Sequence, residues 1–115
     1  MNTDDLALLL RGYTYHFTCE TELQDAVEQV LVQQNIAHTR EALLDGLDRI
    51  DFLVGDVGIE IKIDGSLSSV TRQVHRYLQC ERVSGIVLLS GRLTHTRVPM
   101  TMNGKPVRTV WNAAL

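Results

Sequence analysis

The stretch at residues 48–62, DRIDFLVGDVGIEIK, leaves a folding chain few choices. Apolar residues alternate with others on both sides of a glycine-flanked centre: Ile50, Phe52 and Val54 before it, Ile59, Ile61 and Ile63 after it. Period-two alternation bounded by glycines predicts two antiparallel strands. A turn over Gly55-Asp56-Val57-Gly58 sets Leu53 against Glu60, Asp51 against Lys62 and Arg49 against Asp64. Directly opposed residues point to the same face. Asp51, Glu60 and Lys62 are therefore expected on one face, Asp51 and Glu60 as diagonal neighbours, with all the isoleucines on the other.

That polar face supports two chemistries. Asp51 opposite Lys62 and Arg49 opposite Asp64 can be plain cross-strand ion pairs, each stabilising by roughly 0.2–1 kcal/mol. Alternatively, the face is a divalent-metal site. Two carboxylates about 4 Å apart repel by about 4 kcal/mol at an effective dielectric near 20, and a hard cation removes that repulsion. Magnesium takes one or two carboxylates and fills its other positions with water and phosphate. A lysine beside it can orient a water and neutralise charge on phosphate.

Size and charge narrow the context. A chain of 115 residues predicts one domain, residues 1–115, with a single core. The early apolar run at residues 6–10 follows Asp4 and Asp5 and is too short to span a membrane. Cys19 and Cys80 have no partner at metal-ligand spacing, nor do the four histidines, so a reduced, cytoplasmic protein without a membrane or an organic cofactor is expected. Residues 1–64 carry thirteen acidic and four basic side chains, residues 65–115 one and seven. The basic second half suits a phosphate-facing surface.

Around the hairpin the order of elements is legible. Thr3, capping, and Gly12, closing, bracket a short helix. A second helix is expected from about Glu22, with a Thr21/Gln24 capping box, the apolar stripe Leu23, Ala26, Val27, Val30 and Leu31, and Asn35 at its end. Residues 36–44 can supply an irregular strand. Beyond the hairpin, Ser66, Ser68 or Ser69 caps a helix to about Gln79 with Val70, Val74, Tyr77 and Leu78 inward. The apolar run GIVLLS at residues 85–90 fits a strand buried on both faces. The prediction is an α/β fold: a mixed central sheet flanked by helices. A C-terminal hairpin is expected at about 98–111, turning at Asn103-Gly104 with Met100 facing Val107 and Val98 facing Thr109, and presenting a possible dimer surface.

Taken together, a helix with Glu22, a strand with Asp51, Glu60-Ile61-Lys62 on the next strand, a helix with Gln73 and Tyr77, and a final apolar strand resemble the PD-(D/E)XK nuclease superfamily. The likeness covers about residues 18–90 and is greatest to small minimal-core members, such as those of phages and Holliday-junction resolvases. It implies a restriction-endonuclease-like αβββαβ core. Ile50 stands where the superfamily's proline would be, a position without chemistry.

The resemblance implies a role for each position. Asp51 and Glu60 would hold Mg²⁺, for which Mn²⁺ can substitute, with the Ile61 backbone carbonyl as a further ligand. Lys62 would position or activate the attacking water. Glu22 would contact metal through water or a second ion, with Glu20 as its competitor. Gln73 would buttress the site or touch DNA, and Arg72, Arg76 and Tyr77 are candidate DNA contacts. The implied function is a metal-dependent DNA nuclease hydrolysing phosphodiester bonds, with branched DNA as a candidate structure-specific substrate and a homodimer as the expected assembly. The alternative is an inactive module of the same fold that binds DNA or a protein partner.

Overall fold

Asn2 starts the first helix. Its side-chain oxygen accepts the Asp5 N–H at 2.8 Å, so Asn2 rather than Thr3 caps α1 (Thr3–Arg11), and Gly12 closes it. In this computed structural model, which describes residues 1–112, α2 (Glu20–Gln33) begins two residues before the predicted start. Thr21 lies inside it and caps nothing. Instead Glu22, in the first turn, reaches back to accept the Thr18 N–H at 3.0 Å. The predicted stripe is largely buried, and Asn35, with φ 55°, turns the chain out of the helix.

The strands and remaining helix follow in the predicted order. They are β1 (Thr39–Leu43), β2 (Arg49–Val54), β3 (Val57–Lys62), α3 (Leu67–Tyr77), β4 (Gly85–Ser90), a 3₁₀ turn at Leu93–Arg97, β5 (Thr101–Met102) and β6 (Lys105–Trp111). Ser66 caps α3, its Oγ accepting the Ser69 N–H at 3.2 Å. The six strands run in the order β1-β2-β3-β4-β6-β5. The β3–β4 and β4–β6 pairs are parallel and the others antiparallel, so the sheet is mixed. Helix α3 makes the crossover that a parallel β3–β4 pair requires.

The central hairpin is tighter than predicted. Gly55 and Asp56 alone form the turn, with Gly55 at φ 59°, and Leu53 pairs with Gly58 instead of Glu60. The register is thus displaced by two residues. An even displacement keeps the paired side chains on their faces, whereas an odd one would have reversed them. Asp51 consequently lies beside Glu60, not opposite Lys62, and Asp64 pairs with Arg92 at 2.8 Å, not with Arg49.

One isoleucine departs from the predicted face. Ile50 packs with Leu53, Val70, Val74, Ile86 and Leu88 on the α3 side, away from Phe52, Ile59 and Ile61. Gly58 makes this possible. A Cβ there would stand 2.3 Å from the Ile50 Cδ1, so the missing side chain is the space that Ile50 fills.

Two apolar layers sandwich the sheet. On one side Leu6, Leu10, Leu23, Val27 and Leu31 of α1 and α2 meet Phe52, Ile59, Ile61, Val87 and Leu89. On the other, α3 meets Ile50, Ile86 and Leu88. Strand β4 alternates between the layers and is buried throughout, as its unbroken apolar run predicts. The C-terminal segment is more integrated than a separate hairpin. Its Asn103-Gly104 turn forms, and the Val107 N–H bonds the Met100 carbonyl at 2.9 Å. Val98, however, follows the 3₁₀ turn outside any strand. Strand β6 joins the sheet beside β4, with α1 packed over it, which covers the face expected to be open. Among the described residues, no helix is long and apolar enough to cross a membrane.

Candidate active site

The β2–β3 ladder carries cross-strand pairs at Val54, Leu53 and Phe52, and side chains then take over the bridging. The Ile61 N–H donates to Asp51 Oδ2 at 2.8 Å, and the Asp51 N–H donates to Glu60 Oε1 at 3.3 Å. Each carboxylate thus binds the other strand's backbone. Meanwhile β3 stays paired to β4 as far as Lys62 opposite Ser90. The opening lies at the carboxyl ends of β3 and β4, the edge where open α/β sheets commonly bind ligands.

Glu60 is the electrostatic centre. It is 2 % exposed, and burial, followed by the neighbouring Asp51 carboxylate, pushes its pKa up to about 9. Lys62 opposes that shift, with its Nζ 3.6 Å from Glu60 Oε2. Tyr77 is the second support. Its hydroxyl stands 2.9 Å from Glu60 Oε2 and 3.1 Å from the Arg49 carbonyl, and it accepts a hydrogen bond from Gln73 Nε2 at 2.8 Å. Burial, then Glu60, raises the phenol's pKa, which keeps the hydroxyl a donor. Tyr77 is 1 % exposed, so its expected role as a DNA contact is corrected: it faces Glu60 from within the protein. Gln73 reaches Glu60 only through Tyr77.

Helix α2 approaches the pair from the other layer and brings a different glutamate from the one expected. Glu22 is exposed and engaged with both the backbone and the hydroxyl of Thr18. Those bonds hold its carboxyl below the usual range. Glu20 is the residue that senses the site. Burial raises its pKa, Lys62 lowers it and Asp51 raises it again. Glu22 is thus engaged at the helix entrance, and Glu20 is the α2 carboxylate within electrostatic reach of Lys62 and Asp51.

Gln24 and Arg40 were not singled out as site residues in the sequence. Gln24 Nε2 donates to Asp51 Oδ1 at 3.0 Å, and its Oε1 accepts from Arg40 at 3.3 Å. Glu20 and Gln24 stand four apart and so share a helix face, but that spacing alone does not mark the contact with Asp51, and Arg40 on β1 carries no such signal. Of the other candidates, Arg72 is exposed and lines a shallow depression with Thr71, His75, Arg76 and Met102. Arg76 is exposed too but pairs with Asp48 at 3.3 Å. A larger hollow lies at the far end of β3, lined by Asn2, Asp4, Asp5, Asp56 and Ser84, and includes none of these residues.

Among the described residues, no three His, Cys, Asp or Glu side chains form a ready-made metal cluster. Two adjoining carboxylates plus a main-chain carbonyl nevertheless suit magnesium, which keeps several waters and relies on one or two carboxylates. Burial and the Asp51 charge raise the pKa of Glu60, so the metal-free pair retains a proton that a bound cation would displace. Comparison with family models, characterised proteins and solved structures found no match.

Proposed function

We propose that this chain is a metal-dependent DNA nuclease that hydrolyses phosphodiester bonds. The observation that carries the proposal is the meeting of Asp51, Glu60 and Lys62 where β2 and β3 exchange ladder pairing for side-chain bonds. The order α2-β1-β2-β3-α3-β4 supports reading the fold as a restriction-endonuclease-like core. Asp51, Glu60 and the Ile61 carbonyl would hold Mg²⁺ or Mn²⁺. The cation would supply Lewis-acid stabilisation of phosphate oxygens and a more acidic water.

The chain's own residues have separable tasks. Lys62 places a positive charge beside the acidic pair, where it can orient water and offset charge on the phosphate. Tyr77 and Gln73 hold Glu60 from the α3 side. Glu20 adds a third carboxylate from α2. Exposed Arg72 and Arg76 offer phosphate contacts. A homodimer would set two such sites on two strands of a branched DNA.

A gel assay tests the proposal, using single-stranded, duplex, flap and four-way-junction DNA with Mg²⁺ or Mn²⁺ and Lys62→Ala alongside. Cleavage that needs both metal and Lys62 is the expected result. A folded protein that neither binds Mn²⁺ nor cuts any substrate would instead be the non-catalytic binding module.

A further inference from the structure

We infer that Gln24, anchored by Arg40, is a positioning residue that fixes the orientation of the Asp51 carboxylate, an assignment that rests on the nuclease proposal above. A carboxylate's terminal torsion is broad and only weakly self-determined. Asp51 accepts the Ile61 N–H on Oδ2 at 2.8 Å and Gln24 Nε2 on Oδ1 at 3.0 Å, and the Glu60 carboxyl adds a hydrogen bond of its own. Losing Gln24 removes the hold on Oδ1 from the α2 side.

The direction of the Gln24 amide follows from its neighbours. Arg40 has only donors, so it must meet the amide oxygen, and the NH₂ group must then face Asp51. Gln24 is 9 % exposed and bridges the two at 3.3 and 3.0 Å. Arg40 is itself fixed. It bonds Asp25 at 2.7 Å and Glu28 at 3.0 Å, and its guanidinium carbon lies 5.7 Å from the Phe52 ring centre. A chain of contacts therefore runs from the surface acids of α2, through β1, to the acidic pair.

An amide suits this place. A lysine would add a second positive charge where a cation is to enter, and a glutamate would repel Asp51. The amide donates a hydrogen bond and brings no net charge. Residues behind metal ligands act in this way, and losing one weakens metal binding by about 10–100-fold.

The test uses the whole protein, with Mn²⁺ alone titrated calorimetrically into the parent, Gln24→Met, Gln24→Glu and Arg40→Met, and metal-free crystal structures of the same proteins. Gln24→Met should bind Mn²⁺ about 10–100-fold more weakly. Arg40→Met should produce a smaller loss. Cleavage by Gln24→Met should fall in kcat with little change in KM for DNA, because Gln24 lies beneath Asp51 and not on the surface. Parent-like Mn²⁺ affinity in a folded Gln24→Met protein would overturn the inference and leave the nuclease proposal standing. If the parent itself has no Mn²⁺ affinity, the nuclease proposal fails, and the metal-free structures decide the positioning role. An Asp51 carboxylate still bonded to the Ile61 N–H in Gln24→Met overturns that role, and one turned away from it supports it. Should Gln24→Met not fold, the same two readouts on Gln24→Glu decide.

Discussion

Replacing Glu60 by glutamine tests the electrostatics of the site without needing a substrate. Folding carries Glu60 from an ordinary pKa of 4.5 to about 9, chiefly through burial and the Asp51 charge. Between those values the folded protein holds a proton that the unfolded chain has released. Each such proton makes stability fall by about 1.4 kcal/mol per pH unit as pH rises. The stabilising contribution is thus complete below pH 4.5 and lost progressively toward pH 9. From pH 5 to pH 8 the loss amounts to up to about 4 kcal/mol. Glu60→Gln preserves size and removes the ionisation, so its stability should fall less steeply. Urea unfolding of both proteins at pH 5, 6, 7 and 8 measures the difference in slope, whatever constant offset the mutation introduces. Parallel curves would refute the account of a carboxyl neutralised by burial beside Asp51. Mg²⁺ at about 100 times its dissociation constant should restore about 2.7 kcal/mol to the parent at pH 8.

Two further outcomes follow from the geometry. Gly58→Ala should destabilise by about 1–3 kcal/mol through overpacking, because its Cβ would meet the Ile50 Cδ1. Adding Ile50→Val, which removes that carbon, should recover much of the loss in a denaturant titration. Glu20→Gln should lower Mn²⁺ affinity and metal-dependent cleavage, whereas Glu22→Gln should leave both near parental and affect only helix stability. The opposite ranking in calorimetry and gel assays would return the helix-one role to Glu22.

Much of this architecture was legible because its signals are periodic. Strand β4 reads from an unbroken apolar run and α3 from a stripe at helical spacing, and both form where expected. Glu60 kept its expected face because the displacement was even, whereas Ile50 changed face and Asp51 is met by Gln24 from the α2 side. The errors arose where one residue type permits two uses. Gly58 looks like turn punctuation and is in fact a vacancy for Ile50. Thr21 looks like a cap, yet the helix begins before it and Glu22 serves its entrance. Gln24 and Arg40 were hidden because their importance lies in contacts between α2, β1 and β2, which local patterning does not encode.

The placement of Arg40 on β1 has a consequence for how the protein fails. Strand β1 is a sheet edge, and its pairing with β2 skips Glu41, where φ is 54°. Such segments open at lower free energy than the strands they flank. A brief detachment of β1 would release Arg40 and slacken Gln24 while the rest of the sheet stays paired. The arrangement around Asp51 should therefore loosen before the sheet melts, and on warming hydrogen exchange should deprotect the β1 amides while most others remain protected.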